Sequence, residues 1–398
     1  MRLSTNTIYE LSLASMTSQQ NLLQKTQQQI STGKRILTPS DDPVAAAQVL
    51  NVAQRDSINT QYATNLTVAQ ESLALSETAL GSVSDLIQSV REAAVSAGNG
   101  AMTNTERKIL ADALLSNELQ ELVGKANVTD SSGRYLFSGY QGGTKPFSQA
   151  PNGLIQYDGD QGQRMVQAAS ARQIPLSDSG SNIFESVKSG NGYFMTAAGG
   201  SNTGSGVVGT GSVVDPTLLA GYRIDFISSS TYSVTNTTTG SVVTPNSYVS
   251  GGAISLPGLQ FDIKGSPAVG DTFTVNPSSK QSLFTTVVDL INLLKTPIIT
   301  QADSTKLTNG LNAALQGLDN GLDHVLVCRS SVGSRQNEVD SLQSIGADLG
   351  QQYQQSMSQL QDIDYAKAIS DLSKQQANLE AAQKTFNKVS GLSLFNYM

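Results

Sequence analysis

The sequence predicts an α+β multidomain chain: a long α-helical coiled-coil or bundle shaft formed by the N- and C-terminal segments, with an inserted β-rich domain. Three observations predict it. Apolar residues recur every three or four positions at both ends of the 398-residue chain, the spacing of one helix face. Between about 130 and 281 the period falls to two, the spacing of strands with one buried side. Helices that enclose an insert in this way require the two ends of the chain to meet in space.

The first helical pattern runs from Ile8 to Ile30 with few large apolar groups, Ile8, Leu11, Leu22 and Ile30. A helix this polar is marginal alone. Gly33 fits its C-terminal cap, and Asp42 with Pro43 fits the cap and first position of the next helix, expected over 43–97. In that helix Leu66, Ala69, Leu73, Ser76, Leu80, Val83, Ile87, Val90, Ala94 and Ala97 alternate steps of three and four without a slip. This is the seam of a coiled coil or of a bundle core within the chain. Gly98-Asn99-Gly100 stops it, and Thr103 with Glu106 supplies a capping box for a helix over 104–128.

At Ser131-Ser132-Gly133 the period changes. Strand alternation is clear in Tyr222-Arg223-Ile224-Asp225-Phe226, in Leu259-Gln260-Phe261-Asp262-Ile263 and in Phe273-Thr274-Val275. The Gly- and Ser-rich run 197–211 reads as a loop or strand edge that divides this region into two units. Helix returns at Ser282 with Leu283, Val287, Leu290 and Leu294, and resumes after Pro297. From Ser334 to Met398 the pattern reads as one long helix whose narrow apolar stripe includes Leu342, Leu349, Leu360, Leu372, Leu379 and Phe386. Its expected partner is the other end of the chain. The expected domains are a terminal helix over 1–42 pairing with 362–398, a helical bundle from 43–129 and 282–361, and the insert 130–281, with units 130–188 and 190–277.

Composition excludes several classes of function. Charged residues are 14% of the chain, against roughly 25% in ordinary soluble domains, so solubility rests on Ser, Thr, Asn, Gln and Gly. A net charge of -7 with no cluster of Lys and Arg argues against nucleic acid or an anionic membrane as partner. One cysteine, Cys328, and one histidine, His324, allow no intrachain disulfide. No stretch approaches the roughly 20 apolar residues of a membrane span. The residues from Met1 to Thr7 lack the apolar core of a secretory signal, so export would use another route.

No catalytic constellation survives inspection. His324 and Cys328 share a helix face, but a zinc site needs three or four protein ligands, and no other Cys or His exists to complete one. Asp158-Gly159-Asp160-Gln161-Gly162 resembles the start of a calcium loop, yet Ala169 stands where the loop's last ligand is needed. It reads better as a hairpin turn. Gly204-Ser205-Gly206-Val207-Val208-Gly209 has dinucleotide-loop spacing without a helix to follow it. Asp225, Asp262 and Asp271 read as outward polar residues on alternating strands. No catalytic, cofactor or metal residue is therefore assigned.

The terminal segments point elsewhere. They hold too few large apolar groups to order themselves, yet the chain ends in Leu392, Leu394, Phe395, Tyr397 and Met398. Burial in other subunits is the expectation. The candidate subunit-interface residues are Ile8, Leu11, Leu22, Ile30, Leu372, Leu379, Phe386, Leu392, Leu394 and Phe395.

These ends also carry a resemblance. Ile30-Ser31-Thr32-Gly33-Lys34-Arg35-Ile36, followed by Pro39-Ser40-Asp41-Asp42-Pro43-Val44-Ala45-Ala46, resembles the N-terminal signature of the flagellin superfamily. Val90-Arg91-Glu92-Ala93-Ala94-Val95, Val332-Gly333-Ser334-Arg335-Gln336-Asn337 and Asp362-Ile363-Asp364-Tyr365-Ala366 are similar to further shared motifs. Asp42-Pro43-Val44-Ala45, Tyr135-Leu136-Phe137-Ser138-Gly139 and the ending Gly391 to Met398 favour the hook–filament junction branch over the flagellins themselves. The residues between about 190 and 276 match no motif.

The resemblance implies a non-enzymatic structural adaptor of the bacterial flagellum without cofactors. It implies a homo-oligomeric ring between the first hook-associated protein and the flagellin filament, and no nucleic-acid or membrane partner. It also implies export through the flagellar type III apparatus with an uncleaved N-terminus, and an export chaperone on the C-terminal helix. The alternatives are a flagellin that polymerises into the filament, and a secreted β-domain enzyme or carbohydrate-binding module on a helical stalk.

Overall fold

The computed structural model describes residues 5–151 and 153–391. Its contacts divide the chain into two units, one drawn from 1–64 and 341–398 and the other from 65–340.

The first unit holds helix α1 (Thr5–Thr32), the N-terminal part of α2 (Pro43–Ala97), the C-terminal part of α7 (Gln301–Gln361) and α8 (Tyr365–Gly391). Gly33 adopts φ 70° directly after α1, the left-handed geometry that terminates a helix and that glycine adopts without penalty. Asp42 caps α2 by accepting from the Ala45 amide at 3.0 Å, with Pro43 in the first helical position. Both ends were legible in the sequence. The expected single helix over 334–398 was not correct: α7 stops at Gln361 and α8 begins at Tyr365. The break arises because the backbone at 361–363 bonds to the chain after α1, with Arg35 N donating to Gln361 O at 2.7 Å and Ile363 N to Gly33 O at 3.0 Å. Asp364 then starts α8 by accepting from the Lys367 amide at 3.1 Å. The resulting α1–α8 pair is antiparallel, with Tyr9 tilted against Phe386 and Gly33 beside Tyr365.

The second unit is built on the rest of α2. All ten seam positions from Leu66 to Ala97 are buried, so the seam is a bundle core inside the chain. The capping box forms, with Glu106 N donating to Thr103 Oγ1 and Thr103 N to Glu106 Oε2. The single helix expected over 104–128 is instead α3 (Asn104–Ala113), a π-helical turn (Leu114–Leu119) and α4 (Gln120–Ala126). Leu114 and Leu119, five apart, are both buried, which an unbroken 3.6-residue period would not allow and the wider π turn does. Helix α6 (Leu283–Lys295) closes the bundle with Leu283, Val287, Leu290 and Leu294 buried.

The first part of the insert is a pair of hairpins, β1 (Phe147–Gln149) with β2 (Ile155–Tyr157) and β3 (Met165–Ala169) with β4 (Arg172–Pro175). Phe137, Phe147 and Phe184 of this part cluster with Phe284 of α6, ring centroids 4.9–5.8 Å apart. Asp158–Gly162 is not the hairpin turn expected: it connects β2 to β3, which belong to different sheets. Asp160 holds it by accepting from the amides of Tyr140, Gln141 and Gly162. The helical turn α5 (Gly180–Phe184) leads to β5 (Val187–Lys188).

The second part comprises β6 (Phe194–Ala198), β7 (Val207–Val208), β8 (Ser212–Val213), β9 (Tyr222–Ser228), β10 (Thr231–Asn236), β11 (Val242–Ser247), β12 (Ala253–Leu256), β13 (Leu259–Lys264) and β14 (Thr272–Pro277), and the chain leaves through β15 (Lys280–Gln281). A five-stranded antiparallel sheet in the order β11-β10-β9-β14-β6 faces a smaller one of β12-β13-β7 with β8. Their shared core includes Phe194, Ile224, Phe226, Phe261, Ile263 and Phe273, the inward set that the alternation predicted. The run 197–211 does not divide two units, since Phe194 before it and Val208 within it belong to the same core. Asp271 is also not outward: it is 2% exposed and accepts from the amides of Thr203, Gly204 and Ala268. Asp225 and Asp262 are partly exposed beside Arg223 and Lys264.

Candidate functional site

The candidate site is the surface of the helical ends, and its anchor is the turn between α1 and α2. Lys25 Nζ lies 2.7 Å from Asp41 Oδ1, while Asp41 Oδ2 accepts from the amides of Leu37 and Thr38 at 3.0 Å. Charge-assisted bonds of this kind favour the ionised carboxylate. The Lys25 hydrogen bond, followed by those two amides, holds the Asp41 carboxyl at about 2. Asp42 is also depressed, by its bond to the Ala45 amide and then by Arg35. Arg35 reaches farther: Nη2 donates to Leu360 O at 2.8 Å and Nη1 to Asp42 Oδ2 at 3.2 Å, and its carbonyl accepts from the Gln29 side chain. The residues that carry the terminal resemblance are thus those that tie the first helical hairpin to the last.

What this unit lacks is a core of its own. Among its residues with described side chains, only Thr26, Ala45 and Ala368 are buried. None has a large apolar side chain. Meanwhile Leu11 is 61% exposed, Leu22 48%, Leu50 71% and Ile369 54%. Burying one Leu side chain is worth about 1.5–3 kcal/mol, so a surface of this kind forgoes most of the stabilisation its apolar residues could give.

The predicted interface residues fall on this surface to different degrees. Leu11 and Leu22 are exposed on α1, and Ile30, Leu372, Leu379 and Phe386 are half-buried where α1 meets α8. Phe386 and Tyr9 have ring centroids 5.1 Å apart. Ile8 lies on α1 with its side chain outside the description, and Leu392, Leu394 and Phe395 lie outside the described residues. Sequence reasoning missed Leu13, Leu50, Ile58, Tyr365 and Ile369, all exposed. Their signal was present: Leu13, Leu50, Ile58 and Tyr365 are apolar residues off their helices' seams, and Ile369 stands in the apolar stripe of the last segment, three residues before Leu372. It also missed a groove between α2 and α7 in which Val52 and Arg55 face Leu349, Tyr353 and Leu360. Asn59 closes its far side, its amide donating to Gly346 O at 2.7 Å.

The chemical motifs considered above do not assemble. Among the described residues no group of His, Cys, Asp and Glu could hold a metal ion, and no helix is long and apolar enough to cross a membrane. His324 Nε2 lies 2.8 Å from Asn182 O and 3.9 Å from Cys328 Sγ. Burial, and secondarily the charge of Asp178, pushes the Cys328 thiol up to about 11, which suits an inert packed thiol.

Residues 3–142 match the bacterial flagellin N-terminal helical region, and residues 198–277 match the D2-like domain of flagellar hook-associated protein 1. Flagellar hook-associated protein 3 of Salmonella typhimurium is 31% identical over 398 residues, covering 99% of each chain, and that of Escherichia coli is 29% identical over 396 residues, again 99% of each. Flagellar hook-associated protein 3 of Legionella pneumophila superposes with a TM-score of 0.74 at 28% identity, over 78% of this chain and 98% of that one. FlgL of Xanthomonas campestris gives 0.72 at 28% identity, over 77% and 99%.

Proposed function

Since the chain belongs to the flagellar hook-associated protein 3 family, we propose that it is a structural adaptor at the hook–filament junction, joined into a ring by the helical ends of neighbouring copies. The observation that carries this reading is the coreless terminal unit, in which every large apolar residue with a described side chain stays at least partly open. Such helices become ordered and stable when other chains cover them, which couples folding to assembly.

In this reading 1–42 and 362–398 form the assembly helices, 43–129 and 282–361 the bundle that holds them, and 130–281 an insert outside the ring's inner contacts. The interface candidates Ile8, Leu11, Leu22, Ile30, Leu372, Leu379, Phe386, Leu392, Leu394 and Phe395 meet neighbouring subunits. The first hook-associated protein lies on the hook side and flagellin on the filament side. Before assembly the C-terminal helix is held by an export chaperone, and the chain passes unfolded through the flagellar type III apparatus to the cell exterior. The low charge and the Gln- and Ser-rich helix surfaces support close packing of like subunits through hydrogen bonds. No catalytic step enters this role.

Deletion of the gene tests it. The expected strain makes hooks and sheds filament protein into the medium unassembled. Loss of the filament protein itself would instead identify this chain as the filament subunit.

A further inference from the structure

The later part of the insert is a body with its own core, for every side chain in that core comes from residues 194–275. It joins the helices of its unit through a narrow ladder. Strands β5 and β15 pair, Ser189 N donates to Ser279 O at 2.9 Å, and Ser189 O accepts from Ser278 Oγ at 2.8 Å. Just past the ladder Gly190 and Gly192 adopt φ 61° and 86°, left-handed positions at which the backbone turns without a Cβ to restrict it.

At the end of the ladder and beyond it, two asparagines of α7 reach the insert. Asn309 Nδ2 donates to Gly206 O at 3.0 Å and its Oδ1 accepts from Val208 N at 3.0 Å, so that one side-chain amide pairs with the β7 backbone as a neighbouring strand would. Eleven residues on, about three helical turns and so on the same face, Asn320 Nδ2 donates to Lys188 O at 2.8 Å and Gly190 O at 2.6 Å. Gln316 donates to Asn320 Oδ1 at 3.1 Å and so fixes which way that amide faces. Beside Asn309 the two bodies part around an open cleft, with Met195 and Thr210 on the insert wall and Asp289 and Asn312 on the helix wall.

We propose that Asn309 and Asn320 form a clasp that sets the angle of the β6–β14 body against the bundle, and that opening the clasp lets that body turn on the β5–β15 ladder. The insert is then an adjustable element, latched at β7 by the two Asn309 contacts and at the end of the ladder by the two Asn320 contacts, and free to take another angle when they are exchanged for contacts with another surface. This device is independent of the assembly reading, since none of its residues lies in the terminal unit.

Spin labels at Ile109→Cys on α3 and Val249→Cys on the insert, both exposed positions, in a Cys328→Ser full-length chain, measure the angle as a distance distribution. The parent is expected to give one narrow population, and Asn309→Ala with Asn320→Ala a broad one with added distances. Hydrogen exchange gives a second readout: Asn309→Ala should speed exchange of the Val208 amide about five- to tenfold, the effect of losing one hydrogen bond, and leave the Phe226 amide of the insert core unchanged. An unchanged narrow distribution in the double variant overturns the clasp. If the alanine variant exchanges fast at Phe226, it has unfolded the insert, and Asn309→Asp, which keeps the acceptor and loses the donor, takes its place. Broadening with Phe226 protected supports the clasp; unfolding again would make Asn309 part of the insert's stability and overturn it.

Discussion

Arg35 N donates to Gln361 O at 2.7 Å across 326 residues of sequence, and this one bond marks where the two ends of the chain are tied. The tie needs Gly33. Its φ of 70° is strained for any side chain, and a Cβ there would lie 3.0 Å from the Tyr365 hydroxyl. Gly33→Ala is expected to destabilise the terminal unit by about 1 kcal/mol or more, and Arg35→Ala to remove both its contact with Leu360 and its pairing with Asp42. Limited proteolysis would show this as earlier cleavage between 30 and 45, with 65–340 unaffected.

The same turn predicts a pH dependence. Asp41 is held at about 2 in the folded chain against about 4 when unfolded. A depressed carboxyl contributes stability above its unfolded value, and that contribution is lost as pH falls from about 4 through about 2. The turn at 37–43 is therefore expected to stay closed at neutral and mildly acidic pH and to loosen only in that window. NMR titration of the Asp41 carboxyl and the Leu37 and Thr38 amides would follow it. Asp41→Asn should flatten the response of those amides, and a midpoint near 4 in the parent would contradict the geometry.

Two leucines separate the two units. Leu73 is fully buried in the bundle seam and Leu11 is 61% exposed on α1. Leu73→Ala should destabilise the 65–340 unit by about 2–5 kcal/mol, visible as a lower unfolding midpoint. Leu11→Ala should change the isolated chain by no more than about 0.5 kcal/mol and still reduce motility. If both variants lowered stability equally, Leu11 would be a core residue and no interface would be needed to explain it.

The contrast follows what could be read from sequence. The Leu66 to Ala97 seam and the alternation in β9, β13 and β14 were legible because one periodicity governs each and local burial enforces it. The break at 361–365 was not, because a helical pattern continues through Asp362-Ile363-Asp364 and the backbone bonds that stop the helix there come from Gly33 and Arg35, hundreds of residues away. Asp271 misled for a similar reason. Its neighbours alternate as on a strand, but two of the amides that draw it inside, those of Thr203 and Gly204, belong to a distant segment, and the third, Ala268, lies in the turn just before it. The interface candidates were legible as sparse apolar residues on polar helices. The exposed set on α2 was hidden by the stronger seam on the same helix.

Cys328 should be chemically quiet. Its thiol is raised to about 11 by burial, so at pH 8 only about one in a thousand would be thiolate. Labelling of the folded chain by a thiol reagent is expected to be slow and to accelerate on adding denaturant. Fast labelling under native conditions would mean that the helix face carrying His324 and Cys328 opens readily.

Leu379 and Phe386 test the assembly surface most directly. Both are half-buried where α8 meets α1, with Phe386 against Tyr9, so each retains apolar area that a single chain does not cover. A carboxylate at either position places a charge where a neighbouring helix must pack, and burial of an unpaired charge is costly enough to block that packing. The β6–β14 body belongs to the other unit and holds its core by itself. Leu379→Asp and Phe386→Asp are therefore expected to abolish motility and to leave the exchange protection of the Phe226 amide intact. Normal swimming by either variant would remove these residues from the interface, and loss of protection at Phe226 would show that the terminal pair supports the whole chain instead of its neighbours.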